Sequence, residues 1–316
     1  MSELQFVVRE TIDEAPFVKA IVLDSADGAP LPAFAPGSHV RVTLPQGGDR
    51  PYSLVDLPAY RAPATYVLGA RLEPDGSGGS RYMHSLKAGD RVATSRPIDN
   101  FPLHEGARPA LLFAGGIGIT PILSMASALA AASRPFRLHY AGRGRGHLAF
   151  TGPLSEICGE ALSIHYDDEP ATRLDIGAAL SHAPADAEIY VCGPAGMIDA
   201  VKAAAAAKGF APERVRFELF TPAPTGADTA FEVEVRSSGL VVAVAPGQSI
   251  IDALETAGVE VVYDCRRGDC GICQCGVLEG IPDHRDVVLS DAERASNRVM
   301  QICVSRARSP RLVLDL

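Results

Sequence analysis

Short runs in which apolar and polar residues alternate fill the first third of the chain. Examples are Lys19-Ala20-Ile21-Val22-Leu23 and His39-Val40-Arg41-Val42-Thr43-Leu44, and Gly and Pro turns separate such runs. This alternation is typical of β-strands with one buried face. The pattern predicts an antiparallel β-barrel domain over residues 1–103.

From residue 104 the pattern changes to continuous apolar runs, each followed by an Ala-rich segment. Ala110-Leu111-Leu112-Phe113-Ala114 precedes a predicted helix over 121–132, and Glu188-Ile189-Tyr190-Val191-Cys192 precedes another over 195–208. Apolar strands that alternate with helices indicate a buried parallel sheet. We therefore predict an α/β domain over residues 104–222.

A stretch rich in Pro, Gly and Thr follows, and residues 223–230 are predicted to be a linker. Beyond it, residues 231–244 have the pattern of a strand hairpin that turns at Ser237-Ser238-Gly239. Ser249 is expected to cap a short helix, with Asp252 at the third helical position. These elements predict a third domain over 231–316.

The spacing of four cysteines indicates a cofactor. The pattern C-x4-C-x2-C with one distant cysteine is the spacing by which a plant-type ferredoxin binds a 2Fe-2S cluster. It is formed by Cys265, Cys270, Cys273 and Cys303. Gly268 and Gly271 would let the loop fold tightly and turn backbone N–H groups towards sulfide. A structural zinc site is the alternative, although zinc usually takes its thiolates as two close pairs.

Composition narrows the class of partner. The net charge of −9, without Lys/Arg runs or Trp, argues against nucleic-acid binding. We find no apolar stretch of about 20 residues and no signal-peptide pattern, which predicts a chain that neither enters a membrane nor is exported. The seven cysteines are an odd number for a disulfide framework and suit metal ligation in a reducing compartment. A cytoplasmic location is expected.

Two glycine-containing segments follow predicted buried strands and open helices. They are Gly115-Gly116-Ile117-Gly118-Ile119-Thr120-Pro121 and Cys192-Gly193-Pro194-Ala195-Gly196-Met197. Missing side chains at a helix N-terminus let backbone N–H groups approach a pyrophosphate. A purely structural turn is the alternative for the first segment, which departs from G-x-G-x-x-G. Two such strand ends would flank one crevice, where parallel sheets bind ligands.

The three remaining cysteines allow different readings. Cys192 lies beside a helix N-terminus and could be a nucleophile, but its small polarizable side chain also suits packing against a nicotinamide ring, which we prefer. Cys158 and Cys275 are expected to be small buried thiols. For Cys275 a second role stays open, because Cys273-Gln274-Cys275 puts its thiol beside the predicted cluster.

Two further segments have the chemistry of a flavin phosphate site. Arg50-Pro51-Tyr52-Ser53 supplies a guanidinium for phosphate and a ring for stacking, and Gly76-Ser77-Gly78-Gly79-Ser80-Arg81 supplies backbone and hydroxyl donors. A solvated turn with an unrelated arginine is the alternative for either segment alone.

With these parts in order, the chain resembles the phthalate dioxygenase reductase family from end to end. The resemblance implies an FMN-binding barrel, a ferredoxin reductase-like NAD domain and a C-terminal β-grasp ferredoxin domain. It assigns the FMN phosphate and ring to Arg50, Tyr52, Ser53, Gly79, Ser80 and Arg81. The ribityl chain and ring would also contact Gly69, Ala70 and Arg71. By the same resemblance Ser53 approaches the flavin N5, Phe220 covers the flavin face, and Thr120 bridges the flavin and nicotinamide sites.

For the nucleotide, the resemblance assigns Gly115, Gly116, Gly118 and Pro121 to the pyrophosphate side. It assigns Cys192, Gly193, Pro194 and Met197 to the nicotinamide side. At the ribose, Arg143 and Arg145 would favour a 2′-phosphate, whereas Asp167 and Asp168 would repel one. NADH is therefore expected, and NADPH stays possible.

Together these sites would pass electrons from a two-electron donor to a one-electron acceptor. A nicotinamide delivers two electrons as hydride and a 2Fe-2S centre accepts one at a time, so a flavin must stand between them. The resemblance implies that the final acceptor is the terminal oxygenase of a Rieske-type aromatic dioxygenase or O-demethylase. Two alternatives are a reductase for a haem-thiolate monooxygenase and a redox-sensing protein. No two-His-one-carboxylate pattern stands out in the sequence, so oxygen activation is expected elsewhere.

Overall fold

The computed structural model describes residues 3–74, 78–220 and 228–316. Its contacts divide the chain into two compact units, Met1–Phe217 and Glu218–Leu316. The boundaries 1–103, 104–222 and 231–316 stay predictions. Residues 223–227 of the predicted linker lie outside the described residues, as do Gly76 and Ser77.

An antiparallel sheet opens the first unit. Its strands are β1 (Leu4–Ala15), β2 (Val18–Ser25), β3 (His39–Thr43), β4 (Asp49–Ser53), β5 (Thr65–Arg71) and β6 (Arg91–Thr94), and helix α1 (Gly79–Ser85) connects the last two. The strand order is β4-β3-β6-β1-β2-β5. A further bridge between Leu54 and Leu68 joins the two edges, so the sheet closes into the expected barrel. Apolar residues from alternate strand positions, among them Phe6, Ile21 and Val40, fill its interior.

A parallel sheet completes the first unit. Its elements are β7 (Ala110–Gly115), α2 (Ile119–Ala131), β8 (Phe136–Gly142), α3 (Thr151–Cys158), β9 (Leu162–Tyr166), α4 (Ile176–Ser181), β10 (Glu188–Cys192), α5 (Ala195–Ala207) and β11 (Val215–Glu218). The order is β11-β10-β7-β8-β9, with β10, β7, β8 and β9 parallel. Since β7 and β10 are neighbours, their carboxyl ends meet at one edge, as the sequence predicts.

Ser124 makes hydrogen bonds between helix α2 and the barrel. The Ser124 hydroxyl donates to the carbonyl oxygen of Leu54 at 2.6 Å and accepts from the N–H of Asp56 at 2.9 Å. Both bonds are at least partly buried, so they are shielded from competing water. This contact fixes the middle of α2 against the segment that follows β4.

The second unit is a mixed sheet with short helices. Its elements are β12 (Phe231–Val235), β13 (Leu240–Val244), α6 (Ile250–Thr256), β14 (Gln274–Glu279), β15 (Pro282–Asp283), α7 (Asp291–Ser296), β16 (Val299–Gln301), β17 (Arg306–Ala307) and β18 (Arg311–Leu314). The main sheet has the order β13-β12-β18-β14-β16, with β12 and β18 parallel. The predicted hairpin pairs Phe231 with Val244, and Ser249 caps α6 by accepting from the N–H of Asp252 at 3.1 Å. Both local predictions are confirmed.

Among the described helices, we find none with the length and apolar character that crossing a membrane requires.

Candidate functional site

The loop that carries the first three predicted cluster ligands has a tightly folded backbone. Its φ angles are positive at Arg266 (53°), Gly268 (80°) and Gly271 (77°). A Cβ atom at Gly268 would lie 2.6 Å from Cγ2 of Val304 and 3.0 Å from Cα of Asp286. Glycine is therefore required at this point for both conformation and space.

The predicted ligands form one group of thiols. Cys265, Cys273 and Cys303 are buried, and Cys270 is partly exposed. Hydrogen bonds from the thiols of Cys270 and Cys303 hold the pKa of Cys265 below its ordinary value. The Cys303 thiol also bonds to Cys273 and lowers its pKa. The structure thus brings together the four cysteines that the spacing singled out.

Backbone N–H groups surround these sulfurs. The N–H of Arg267 donates to Sγ of Cys265 at 3.3 Å, and the N–H of Ile272 bonds to Sγ of Cys270. Donors aimed at sulfur stabilise thiolates, the form in which cysteine binds iron. The residues present therefore fit a 2Fe-2S cluster.

Cys275 does not belong to this group. Its thiol donates to the carbonyl oxygens of Gly276 at 3.4 Å and Asp315 at 3.7 Å, and burial raises its pKa to about 11. It packs in the core of the second unit. Burial likewise raises the pKa of Cys158 to about 11. Both contacts and burial agree with the expected small buried thiols.

The two glycine-containing strand ends meet as closely as their backbones allow. A Cβ atom at Gly118 would lie 2.2 Å from the carbonyl oxygen of Cys192. One at Gly115 would lie 2.6 Å from Cδ of Pro194 and 2.8 Å from Sδ of Met197. A Cβ atom at Gly193 would lie 3.0 Å from Cα of Gly115. These residues pack together at the carboxyl end of the sheet, the edge where nucleotides bind in α/β proteins.

Other predicted nucleotide residues lie at this edge. Gly116 has a φ of 55° and begins the turn into α2, and Pro121 lies in the first turn of that helix. Thr120 is buried and donates to the carbonyl oxygen of Ile117 at 3.0 Å. Cys192 is fully buried at the end of β10. Its predicted contact with the nicotinamide stays a prediction.

At the predicted ribose end, Arg143 and Arg145 have different surroundings. The Arg145 guanidinium makes bonds of 2.6 and 2.8 Å to Glu169 and lies 4.4 Å from the ring centre of Tyr166. Arg143 is exposed at the end of β8, and its side chain makes no hydrogen bond or ion pair within the part of the chain that the structure describes. Asp167 begins the next loop, where its N–H donates to Gly142 at 2.9 Å. Arg143 and Asp167 stay the predicted contacts of the ribose.

The two halves of the predicted flavin pocket also come together. A Cβ atom at Gly79 would lie 2.7 Å from Cγ of Arg50 and 3.4 Å from the hydroxyl of Tyr52. Burial raises the pKa of Tyr52 to about 12, against the opposing charge of Arg50. The Ser53 hydroxyl is buried and has no hydrogen-bond partner among the described residues. A buried donor with no protein partner fits a site completed by a ligand.

The remaining pocket residues have structural contacts. Ser80 accepts from the N–H of Glu73 at 3.0 Å, and Arg81 donates to the carbonyl oxygen of Pro74 at 2.7 Å. The carbonyl oxygen of Ala70 lies 3.0 Å from Nε2 of His84, and Arg71 lies 3.4 Å from Glu73. These contacts fix the ends of β5 and α1 that border the pocket.

Phe220 lies in the second unit, where its ring centre is 5.5 Å from the guanidinium carbon of Arg267. Arg267 is buried and bonds to Glu218 at 2.8 Å, with Asp269 at 3.6 Å. Burial raises the pKa of Asp269 to about 8, and the positive charge of Arg267 opposes that rise. Sequence reasoning did not find this ionic group, because Glu218 is 49 residues from Arg267 in the chain.

Comparison with known proteins agrees with this geometry. A model of the 2Fe-2S iron-sulfur cluster binding domain matches residues 233–308, and a model of the oxidoreductase NAD-binding domain matches residues 112–203. The solved structure of phthalate dioxygenase reductase matches with a TM-score of 0.82 and 34% identity, covering 100% of this chain and 98% of that one. The chain belongs to the phthalate dioxygenase reductase family.

Two curated relatives extend the match over the full length. Tetrachlorobenzoquinone reductase of Sphingobium chlorophenolicum is 42% identical, over 100% of this chain and 99% of the relative. Vanillate O-demethylase oxidoreductase of Pseudomonas putida is 41% identical, over 98% and 99%. As a member of this family the protein is an electron-transfer oxidoreductase with an NAD-binding domain and a 2Fe-2S domain. The cluster reading is thereby confirmed over zinc.

We expect Gly115→Ala to raise the KM for NADH, because the new methyl group would lie against Pro194 and Met197 in the crevice. Overpacking of this kind costs about 1–3 kcal/mol, or about tenfold to a hundredfold in binding. The control is Gly196→Ala, where a Cβ atom meets nothing within 4 Å. Steady-state kinetics with ferricyanide measure both. Equal KM values for both variants would contradict the crevice assignment.

Proposed function

We propose that the protein is an NADH-dependent iron-sulfur flavoprotein reductase that serves the terminal oxygenase of a Rieske-type aromatic dioxygenase or O-demethylase system. Electrons would pass from NADH through FMN to the 2Fe-2S cluster and then to the oxygenase. One observation carries the proposal: the grouped thiols of Cys265, Cys270, Cys273 and Cys303 occur in the same chain as the crevice between β7 and β10.

Residues at the barrel end of the pathway would hold the flavin. Arg50 would pair with the phosphate, Tyr52 would lie against the ring, and the unpartnered Ser53 hydroxyl would donate to it. When bound, the flavin supplies the ability to take up two electrons as hydride and to release them singly. Gly79 would leave room for the phosphate beside Arg50 and Tyr52.

Residues of the crevice would orient the nicotinamide. Gly115, Gly118 and Gly193 let the dinucleotide approach the backbone at the carboxyl ends of the strands. Thr120 would separate and align the two ring systems, because its methyl group borders Gly69 of the barrel. Since Glu169 neutralises Arg145, Arg143 alone of the two arginines would face a 2′-phosphate. This balance supports NADH as the donor.

The proposal also specifies the class of electron acceptor. The relatives are named as an O-demethylase oxidoreductase and as a quinone reductase, so an oxygenase and a quinone are the two acceptor classes that those names support. We favour the oxygenase, because a 2Fe-2S centre delivers electrons one at a time, which suits a protein acceptor with its own metal centre. The protein would act in the cytoplasm with a separate oxygenase.

Replacement of one cluster ligand tests the electron order. Cys270→Ser should leave NADH-dependent ferricyanide reduction largely intact and abolish cytochrome c reduction, because the cluster lies after the flavin. The matched control is Cys275→Ser, which changes a buried thiol outside the ligand group and should keep both activities. Parallel loss of both activities in Cys270→Ser, with flavin still bound, would refute the order.

Replacement of Arg50 tests the flavin site. Arg50→Ala should weaken FMN binding by about tenfold to a hundredfold, because a charge-assisted pair contributes about 1.5–3 kcal/mol. Arg91→Ala, at an exposed barrel position, is the control. Equilibrium dialysis of the apoprotein with FMN measures the affinity. The flavin released from the unaltered protein by boiling should be FMN, and finding FAD would overturn the assignment.

The charge of the second unit predicts a basic docking partner. Residues 226–316 carry 9 Lys/Arg against 14 Asp/Glu, a net charge of −5. Arg266, beside the first ligand, bonds to Asp252 at 2.6 Å and Glu255 at 2.9 Å, and Arg267 is buried. Neither arginine therefore presents an unneutralised charge to a partner. The net negative charge of this domain therefore favours a basic partner.

Cytochrome c, a basic protein, is a suitable probe of this domain. Its reduction should slow about tenfold or more from low to high salt, because screening over a Debye length of about 10 Å at 0.1 M removes the attraction. Ferricyanide is an anion, so its reduction should not slow. Salt-independent reduction of cytochrome c would refute electrostatic docking at this domain.

A further inference from the structure

Phe150, an aromatic residue that the sequence did not single out, lies beside Gly69 and Thr120, which are predicted contacts of the flavin and the nicotinamide. Phe150 is 1% exposed. A Cβ atom placed on Gly69 would lie 3.3 Å from Cζ of Phe150 and 2.4 Å from Cγ2 of Thr120. The three residues therefore meet where barrel strand β5 borders the nucleotide helix α2.

The backbone of Phe150 has an unusual conformation. Its φ and ψ angles are 59° and 21°, in the left-handed region, immediately before α3. Bulky residues rarely adopt this conformation, because Cβ then approaches the following carbonyl oxygen. Such strain persists only where surrounding contacts impose it, and it is concentrated at functional sites.

The backbone N–H of Phe150 is bonded to a side chain of the barrel. Oε2 of Glu14 accepts from the N–H of Phe150 at 3.1 Å. Glu14 lies at a break in the β1–β2 register between Asp13 and Ala15, a bulge of the kind that redirects a side chain. Burial raises the pKa of Glu14, and the hydrogen bond from Phe150 opposes that rise. One hydrogen bond thus joins the bulge at Glu14 in the barrel to the strained backbone of Phe150 before α3.

We propose that Glu14 and Phe150 form a clamp that holds the Phe150 ring against Gly69 and Thr120 and so positions Thr120 between flavin and nicotinamide. Its chemical meaning rests on the proposed function. Phe150 and Glu14 are positioning residues, acting through the placement of Thr120 and β5. When the hydrogen bond is lost, the left-handed turn relaxes and the ring leaves its place.

The experiment compares Glu14→Ala with two matched variants. Glu14→Gln keeps a side-chain carbonyl acceptor, and Asp13→Ala changes the neighbouring carboxylate, whose side chain is 84% exposed. The first readout is amide hydrogen exchange of residues 150–158, measured on flavin-free protein. The second is the rate at which NADH reduces the flavin in the holoprotein, followed by stopped flow.

Glu14→Ala should accelerate exchange at the start of α3 about tenfold, the effect of losing a bond to a charged acceptor. It should slow flavin reduction about tenfold to a hundredfold, as expected when reacting groups are misplaced by about 1 Å. Asp13→Ala should stay within about twofold of the unaltered protein in both readouts. Glu14→Gln should resemble Asp13→Ala.

Unchanged exchange in Glu14→Ala, or equal acceleration in Asp13→Ala, would overturn the clamp. If the unaltered protein did not oxidise NADH, the proposed function would be refuted. Hydrogen exchange of the flavin-free protein would still decide whether the clamp exists. A second background sharpens the test. After Phe150→Gly, Glu14→Ala should change the exchange of residues 151–158 less than about twofold, because glycine adopts the left-handed turn without a clamp. An equal effect in both backgrounds would refute the strain argument.

Discussion

Close approach of backbone to its neighbours, possible only where a side chain is missing, is the constraint on which every candidate site depends. Gly118 lies against the carbonyl oxygen of Cys192, Gly79 against Arg50, and Gly268 against Val304. In each case a Cβ atom would fall within 3 Å of a neighbouring atom. Strand ends, helix starts and the cysteine loop can therefore converge, leaving backbone N–H groups where anionic ligands bind. Glycine at these three positions therefore allows the backbone to come close to each predicted cofactor.

Burial and charge act differently in the two units. In the first unit, the unpartnered Ser53 hydroxyl and the strained Phe150 backbone are costs that a stable fold usually avoids. In the second, the buried Arg267 lies with Glu218 and Asp269, and the exposed charge near the cluster loop is balanced within α6 and its neighbours. The first arrangement suits a site completed by a small ligand. The second arrangement pairs the buried charges of the cysteine loop within the protein.

Sequence reasoning succeeded where the signal is local. The cysteine spacing, the hairpin from Phe231 to Val244 and the cap at Ser249 depend on residues close in the chain, and helix α2 begins at Ile119, within two residues of its predicted start. The Glu14–Phe150 bond joins residues 136 positions apart, and neither residue has a motif around it. The neutralisation of Arg266 by Asp252 and Glu255 also depends on folding. Such contacts follow from tertiary packing, which periodicity and spacing do not record.

The most direct test of the account is whether electrons from NADH reach the cluster only through the flavin. Electron paramagnetic resonance of protein frozen after anaerobic mixing with NADH measures the reduced 2Fe-2S centre. We predict a signal in the protein with all cofactors, none after the flavin is removed, and its return when FMN is restored. A signal of equal size without flavin, or none with every cofactor bound, would contradict this electron order.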